Sequence, residues 1–294
     1  MDIHAKARIL ISALPYFRDF YGKILVIKYG GHAMVDEVLK EAFAQDIVLM
    51  KYVGIQPIIV HGGGPQISQV MERMGLKPTF IEGQRVTDEE TMNVVEMVLV
   101  GTVNKQIVSL INQAGGQAVG LSGRDGNLVE VEKMTLYKYT GEDRPPEIID
   151  IGRVGKVRKV NPAVLYTLIE NGFIPVIAPV GVGPEGDAYN VNADLVAGAV
   201  AGILKAEKLI YLSDVEGVKN EKGELISTLY TKEIEALLEK GIAKGGMIPK
   251  LKSARKAINS GVKKVHIIDG RIPHSLLIEL FTDEGLGTQI LTEE

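Results

Sequence analysis

Cysteine and tryptophan are both missing from this 294-residue chain. The absence of cysteine excludes disulfide bonds, thiolate metal sites and cysteine nucleophiles together. The formal net charge is only −4, which leaves no basic footprint for a nucleic-acid partner. The five histidines are not spaced as metal ligands, which argues against a structural zinc site. We therefore expect no metal held by the protein's own side chains.

Long apolar runs are missing as well. No uninterrupted run approaches the roughly 18 residues of a membrane-spanning helix, so a span is not expected. The first residues lack the apolar core of a signal peptide, which predicts a cytoplasmic protein. The Gly-x-x-x-x-Gly-Lys-Ser/Thr motif of P-loop enzymes and the protein-kinase catalytic signatures are also absent.

The sequence is organised around residues 57–65, Pro-Ile-Ile-Val-His-Gly-Gly-Gly-Pro. The apolar, β-branched half predicts a buried strand, and Pro65 fits the first turn of a helix. Three glycines between a strand and a helix bring backbone N–H groups close to a ligand at the positive end of the helix dipole. The stretch predicts an anion site, most often for phosphate. A tight turn without a ligand is the alternative.

A second glycine turn follows the predicted strand 24–27, in residues 28–31, Lys-Tyr-Gly-Gly. A helix predicted over residues 36–52 lies between the two strands, and this βαβ unit implies a parallel sheet. The carboxyl ends of parallel strands share one edge, so we expect both turns and Lys28 at that ligand-binding edge. The alternative for Lys28 is a surface lysine beside a turn.

Residues 83–87, Gly-Gln-Arg-Val-Thr, precede a long predicted helix from about residue 88 to 112. Thr87 and Glu90 fit a capping box at its start. Arg85 is a candidate clamp for a carboxylate, because its planar guanidinium binds carboxylates bidentately. A solvated loop arginine is the alternative.

The pattern changes to short strands over residues 118–159, which predicts an antiparallel insert beside the sheet. Within it, residues 148–160 suggest a second hairpin that turns near Gly155 and Lys156. Residues 181–186 match the dinucleotide fingerprint Gly-x-Gly-x-x-Gly, but Pro184 favours a turn and no helix follows at once. We therefore do not interpret them as a dinucleotide site.

Residues 190–194, Asn-Val-Asn-Ala-Asp, precede an apolar helix that runs to about residue 205. Asn192 is the expected N-cap and places Asp194 in the first turn. Simple capping is the alternative, but a cap needs one such residue and three are present. Residues 213–217 follow another buried strand, and residues 245–250 bring glycines and a lysine to a helix start.

Residues 3–21 carry apolar side chains at helical spacing, with Pro15 inside the stripe. Proline should kink or interrupt this helix. The arm must bury its stripe on its own body or on another subunit.

Glycine turns, two lysines beside them and an aspartate at a helix start suit phosphoryl transfer, which needs positioning and positive charge rather than covalent catalysis. At residues 28–31, 61–64, 83–87, 190–194, 212–217 and 245–250 the chain resembles the amino acid kinase family, in the right order over nearly its whole length. The resemblance implies a three-layer α/β sandwich on a central, mostly parallel sheet. It also implies Mg-ATP as the phosphoryl donor.

Two of these stretches, 83–87 and 190–194, resemble the members that phosphorylate the side-chain carboxylate of N-acetyl-L-glutamate in arginine biosynthesis. Glutamate 5-kinase and carbamate kinase are the sibling alternatives. In the catalytic centre the resemblance implies neutralising lysines Lys28 and Lys250, organised by Asp194. The phosphates would be bound by Gly30, Gly31, Gly63 and Gly64. The acetylated amino acid would be bound by Gly63, Gly64, Arg85, Asn190 and Asn192. The nucleotide would be bound by Ser213, Asp214, Gly217 and Met247.

The N-terminal stripe resembles the arm of arginine-inhibited members, in which it interlaces dimers into a hexamer. The resemblance therefore implies inhibition by L-arginine and leaves open a nitrogen-signalling regulator protein as a partner. The effector-site candidates are Tyr16, Lys208, His266, Glu284 and Gly287. The expected division is an arm (1–21), an amino-acid-substrate lobe (22–188) and a nucleotide lobe (189–294). A non-catalytic arginine or nucleotide sensor and an NAD-dependent oxidoreductase are the alternatives from other functional classes.

Overall fold

A computed structural model describes residues 3–138 and 147–293. Its first half contains, in chain order, α1 (Ile3–Phe20), β1 (Ile24–Tyr29), α2 (Glu37–Tyr52), β2 (Gln56–His61), α3 (Gly64–Arg73), β3 (Phe80–Ile81), β4 (Gln84–Arg85), α4 (Glu89–Glu96), α5 (Asn104–Gln113), β5 (Ala118–Ser122) and β6 (Val129–Lys138). Short 3₁₀ turns occupy Gly31–Met34 and Asp125–Asn127.

The second half contains β7 (Glu147–Val160), α6 (Ala163–Glu170), β8 (Ile174–Ala178), β9 (Val180–Val182), β10 (Ala188–Val191), α7 (Ala193–Ile203), β11 (Lys208–Ser213), β12 (Thr228–Tyr230), α8 (Glu233–Glu239), α9 (Met247–Asn259), β13 (Lys264–Asp269), α10 (Ser275–Phe281) and β14 (Gly287–Leu291).

The described residues form a central sheet of eight strands in the order β12-β14-β13-β11-β1-β2-β8-β5. The six strands from β13 to β5 are parallel, whereas β14 pairs antiparallel with β13. β1 is central, with Val26 paired to Ile58 of β2 and to Leu209 of β11. The mostly parallel sheet predicted from the sequence is confirmed.

Helices cover both faces of this sheet, which gives the three predicted layers. Alternate β1 residues point to opposite faces: Leu25 and Ile27 join the core under α2, α5 and α10, and Val26 joins the core under α7 and α9. Strands buried on both faces carry continuous apolar runs, as β1 and β2 do.

The antiparallel insert is present as β6 paired with β7, but its predicted shape is wrong. β7 is one continuous strand with no turn at Gly155 or Lys156, and Lys156 lies opposite Glu132. β9 and β10 join β6 and β7 in a closed four-stranded barrel. Gly155 serves close packing there, because a Cβ at this position would stand 3.0 Å from that of Tyr189 and 3.1 Å from that of Val131. Residues 181–186 lie in the β9–β10 hairpin. This placement agrees with the interpretation that they do not form a dinucleotide site.

Two predictions about helices also need correction. Pro15 does not interrupt α1. The cap of α4 is Asp88, whose carboxylate accepts the Thr91 N–H at 2.8 Å, and not Thr87.

A π-helical segment, Met97–Val103, joins α4 and α5 into one 25-residue helix that is long and apolar enough to cross a membrane. Its apolar side, including Val95, Leu99 and Ile111, is buried in the core over the sheet. It packs as a core helix.

Candidate active site

Two lysines and one aspartate from distant parts of the chain meet at the carboxyl edge of the sheet. Lys28 Nζ lies 3.4 Å from one carboxylate oxygen of Asp194, and Lys250 Nζ lies 3.0 Å from the other. β1 carries Lys28, the first turn of α7 carries Asp194, and the first turn of α9 carries Lys250. All three residues are at least nine-tenths buried. The structure thus unites the three predicted catalytic residues.

Burial and charge oppose each other in this centre. Burial on its own would raise the pKa of Asp194, but the two lysines outweigh it and hold that pKa below its usual value. Burial lowers the pKa of Lys28, and Asp194 offsets part of that shift while the positive charge of Lys250 adds to it. One carboxylate shared by two ammonium groups leaves a net positive centre, which suits an anion.

Asp194 is held in place by the start of its helix. The Asn192 side chain accepts the backbone N–H of Asp194 at 2.9 Å, which is the predicted N-cap. The Ser253 hydroxyl donates to the Asp194 carbonyl at 2.7 Å, and the buried Tyr211 hydroxyl donates to the same oxygen at 3.3 Å. Ser253 lies one turn after Lys250, so α9 contacts Asp194 through both residues.

The two glycine turns lie side by side next to Lys28. A Cβ placed on Gly62 would stand 3.8 Å from the Gly30 Cα, and the Gly62 N–H donates to the Tyr29 carbonyl at 2.7 Å. Gly63 caps α3 with φ +158°, and a Cβ there would overlap Leu99. A Cβ on Gly64 would meet nothing within 4 Å, which leaves that helix start open.

The Asp214 carboxylate restricts position 31 to glycine. Gly31 has φ +73°, and a Cβ there would overlap the carboxylate of Asp214. That carboxylate also accepts the His32 N–H at 2.6 Å. Only glycine fits this close approach between the first turn and Asp214.

A cavity of about 190 Å³ opens beside the glycine turn 62–64, and its lining includes Arg85, Asn190 and Asn192. Arg85 is buried and donates to the Gly64 carbonyl at 2.9 Å and to the Ser68 hydroxyl at 2.8 Å. Its guanidinium lies 4.7 Å from the centre of the Phe80 ring. Arg85 is therefore not a solvated loop arginine; its cation is fixed at the wall of this cavity.

A second cavity, of about 420 Å³, is lined by Asp214, Gly217 and Met247, three of the four residues assigned to the nucleotide. Ser213 lies at the end of β11 beside Asp214 but does not line it. The cavity has apolar walls at Val218, Ala243 and Ile242 and basic side chains at Lys219, Lys244 and Arg271.

The effector candidates lie around α10. Burial lowers the pKa of His266, and its Nδ1 contacts the carboxylate of Glu279 in α10. Lys208 Nζ lies 5.0 Å from the centre of the Phe20 ring, and the Tyr16 hydroxyl donates to Asp283. Gly287 begins β14, and Glu284 is exposed in the loop before it.

Several residues at these sites were missed by the sequence analysis. Thr87 was assigned to a helix cap but is fully buried between Arg85 and Asn190. Arg271 donates to both carboxylate oxygens of Asp269 at 2.8 and 2.6 Å, which fixes it beside the nucleotide-side cavity. The signal for Arg271 was its position: it follows the buried strand β13 on the same sheet edge.

His61 is fully buried under the second turn and bonds only to protein atoms. Its Nδ1 lies 2.7 Å from the Gly62 carbonyl, and its Nε2 lies 3.2 Å from the Asn104 side-chain amide. Burial lowers its pKa to about 4, so the ring is neutral at pH 7. This enclosed, neutral ring supports a structural role for His61.

Among residues 3–138 and 147–293, no group of three or more His, Asp or Glu side chains is arranged to hold a metal ion. A cation at the site would need ligands from a bound molecule. Phosphate oxygens supply such ligands for Mg²⁺, which usually takes only one or two carboxylates from protein.

Residues 23–269 match the model of the amino acid kinase family. An acetylglutamate kinase from Syntrophobacter fumaroxidans is 60% identical over 286 residues, covering 97% of this chain and 96% of that protein. An acetylglutamate kinase from Aquifex aeolicus is 59% identical over 296 residues, covering 99% of both.

Among solved structures, N-acetylglutamate synthase from Neisseria gonorrhoeae, complexed with coenzyme A and N-acetyl-glutamate, has a TM-score of 0.83 at 29% identity. The match covers 98% of this chain, which spans only 64% of that synthase. The same synthase complexed with coenzyme A and L-arginine has a TM-score of 0.80 at 28% identity.

Proposed function

Because the chain belongs to the amino acid kinase family, we propose that it transfers the γ-phosphoryl group of ATP to the side-chain carboxylate of N-acetyl-L-glutamate. The product is N-acetyl-L-glutamyl 5-phosphate, an intermediate of arginine biosynthesis. The family predicted from the motifs is confirmed, and the predicted activity agrees with the names of relatives that are 59% and 60% identical. The observation that carries the proposal is the Lys28–Asp194–Lys250 centre beside a cavity with a fixed arginine.

Each residue of the centre has a distinct part in this reaction. Mg-ATP supplies the phosphoryl group, and its metal enters with the phosphates. Lys28 and Lys250 stabilise the negative charge on the transferring group, while backbone N–H groups of Gly31, Gly63 and Gly64 bind its oxygens. Asp194 orients both lysines. Gly30 leaves space for the Lys28 side chain, because a Cβ at position 30 would overlap Lys28 Nζ.

The substrate-side cavity supports recognition of an acylated amino acid. The Arg85 guanidinium would bind the α-carboxylate, and the Asn190 and Asn192 amides would bind the acylated amino group. The nucleophile is a carboxylate with a pKa of about 4, already ionised at pH 7, so no general base is needed. This agrees with the neutral, enclosed His61.

The nucleotide belongs in the other cavity. Asp214, Gly217 and Met247 line it, and Ser213 lies beside it at the end of β11. This assigns residues 22–188 to the amino-acid lobe and residues 189–294 to the nucleotide lobe, with β10 (Ala188–Val191) at the boundary.

A coupled assay of ADP release tests the activity. We expect turnover that depends on N-acetyl-L-glutamate and is much weaker with free glutamate or carbamate. K28M and K250M should each lower kcat about 100-fold or more, since a preorganised charge at the transferring group is removed. K252M, on the exposed side of the same helix, should stay within about twofold. Equal turnover of free glutamate would assign the chain to a sibling kinase, and arginine binding without turnover would make it a sensor.

We further propose inhibition by L-arginine and assembly into a hexamer through α1. The arm leaves its apolar stripe uncovered: Leu10 is 68% exposed and Leu14 57% exposed. Its end packs on α10, where Phe17 and Phe281 meet edge to face at 4.9 Å. The carboxylates around α10, including Glu279 and Glu284, suit a guanidinium, and Lys208 suits a carboxylate. The cytoplasmic location predicted from the N-terminal residues belongs to the same proposal, and the resemblance leaves open a nitrogen-signalling regulator protein as a partner.

Deletion of residues 1–20 tests this second proposal. The truncated protein should be dimeric by light scattering and should need more arginine for half-inhibition, with uninhibited turnover retained. L10D should weaken assembly in the same way, whereas R8D, also exposed on the arm, should not. A truncated protein that stays hexameric would contradict the role of α1.

A further inference from the structure

We propose that Thr87 is a positioning residue that fixes which face of the Asn190 side-chain amide is turned to the substrate. The inference rests on the proposed function, because that function identifies N-acetyl-L-glutamate as the ligand of the cavity lined by Arg85 and Asn190. Thr87 has no exposed surface and does not line the cavity itself. Its effect must pass through its neighbours.

The Thr87 hydroxyl has a defined proton direction. It donates to the Arg85 carbonyl at 2.7 Å, and a carbonyl can only accept. The single hydroxyl proton is thereby committed, so Oγ1 can act only as an acceptor toward its other neighbour. That neighbour is the Asn190 side-chain amide at 3.2 Å. The atom of Asn190 that faces Thr87 must therefore be the donor, Nδ2.

This fixed amide orientation has a consequence for recognition. With one N–H committed to Thr87, Asn190 keeps Oδ1 as an acceptor for a ligand in the cavity that it lines. Arg85, in the same lining, can only donate. The pair therefore offers one donor group and one acceptor, which matches the α-carboxylate and the amide N–H of an N-acylated amino acid. If the amide turned over, the donor Nδ2 of Asn190 would face that N–H, and no hydrogen bond could form.

Strand β7 holds Thr87 at this point. The Thr87 N–H donates to the Ile151 carbonyl at 2.9 Å, and the Thr87 carbonyl accepts the Arg153 N–H at 2.6 Å. Between them, Gly152 has φ +77°, and a Cβ there would overlap the Thr87 carbonyl oxygen. The insert strand is thus coupled to the substrate cavity through the backbone of one buried threonine.

The substitution T87V keeps the side-chain shape and removes the hydroxyl. We expect KM for N-acetyl-L-glutamate to rise about tenfold or more, with KM for ATP and kcat at saturation within about twofold. T87S, which keeps the hydroxyl, should restore KM to within about twofold. In an N190A background, T87V should add less than about twofold, because its effect passes through that amide. Equal changes in both KM values, or effects that add in the double variant, would overturn the proposal.

A structural measurement separates this inference from the proposed function. Neutron crystal structures of T87S and T87V without ligands, in which the amide hydrogens are seen directly, should show the Asn190 amide held as described in the first and rotated in the second. An unmoved Asn190 in T87V would overturn the positioning role even if the enzyme turns over, and an inactive wild-type protein would leave this readout intact. If T87V does not fold, T87C, with a side chain of similar size and a weak donor, takes its place against T87S.

Discussion

At the scale of single residues, the centre works by sharing one negative charge between two positive ones. Three ionic side chains are buried together, which costs free energy unless each has a partner. Asp194 partners both lysines, at 3.4 and 3.0 Å, through different oxygens. Two ammonium groups and one carboxylate leave a net positive charge on these three side chains. An incoming phosphoryl group supplies the negative charge that balances it.

Removal of the shared charge should have a pH signature. D194N should lower kcat about 100-fold or more, because neither lysine is then held toward the transferring group. The Asp194 charge raises the pKa of Lys28 against burial, so its loss lowers that pKa further. A lysine must be protonated to act, so the alkaline fall of kcat/KM should shift to lower pH in D194N. The measurement is the pH profile of kcat/KM.

The matched control is D150N, an exposed carboxylate on the insert that pairs with Lys133. Its profile should coincide with that of the wild type. An alkaline limb that stays in place in D194N would mean that Lys28 is not the titrating group.

Some residues of the site could be predicted from the sequence, and others could not. Lys28, Asp194 and Lys250 could be located because glycines, strand ends and the Asn192 cap are local signals. Thr87 could not, since residues 87–90 read Thr-Asp-Glu-Glu and offer two possible caps. Asp88 is the one that accepts from the helix backbone. Which of the two becomes buried depends on Ile151 and Arg153, more than 60 residues later in the chain.

At the scale of elements, the helices α7 and α9 set the distance between Asp194 and Lys250. They approach closely at two glycines of α7: a Cβ on Gly198 would overlap the Ser253 hydroxyl, and one on Gly202 would stand 2.9 Å from the Ser260 Cβ. Gly101, in the π-helical segment, has nothing within 4 Å of its Cβ position. Glycine is required in the first case and merely tolerated in the second.

The same substitution should therefore have opposite effects in the two helices. G101A should raise the free energy of unfolding by about 0.5–1 kcal/mol, because alanine is the better helix former. G198A should lower it by about 1–3 kcal/mol and should also lower kcat, since α9 and Lys250 must move away from Asp194. Urea unfolding with the coupled assay measures both. Equal stability of the two variants would contradict this account of the α7–α9 contact.

Helices and strands were predicted correctly where the hydrophobic pattern determines the element. They were predicted wrongly where tertiary packing determines it. The buried strands β1, β2 and β11 were found from apolar runs. The turn at Gly155 was not correct, because glycine marks both turns and sites of close contact. The four-stranded barrel could not be foreseen, since it is closed by the pairing of β10 with β7, which are far apart in sequence.

At the scale of the whole molecule, a hydrogen bond from an exposed histidine to a buried carboxyl group joins the two predicted lobes. Asp46 of α2 lies 2.6 Å from His274 Nδ1, at the start of α10. Burial raises the pKa of Asp46 to about 6, and His274 partly offsets that shift. A carboxyl group whose pKa is raised on folding lowers the free energy of unfolding as the pH rises from its unfolded pKa of about 4 to its folded pKa of about 6, and the full loss is present above that range. His274 is the group that makes the ionised form tolerable.

The histidine should matter most at high pH. H274A should lower the free energy of unfolding by about 1–3 kcal/mol at pH 8, where Asp46 is ionised and loses its hydrogen-bond donor. At pH 5 the loss should be smaller, because the unpaired Asp46 takes up a proton. Thermal melts at the two pH values, with H4A on the exposed arm as control, measure this. A larger loss at pH 5 than at pH 8 would contradict it.

The position of β1 in the middle of the sheet also bears on how the protein folds. Leu25 pairs with Pro57 on one side and with Lys208 on the other, so the strand that carries Lys28 is completed only when distant segments meet. Long-range parallel pairing is slow, because the entropy of closing a large loop is lost before the contacts form. We expect helical circular dichroism to recover early in refolding and enzymatic activity to recover last. Turnover thus reports that the chain has found its full topology.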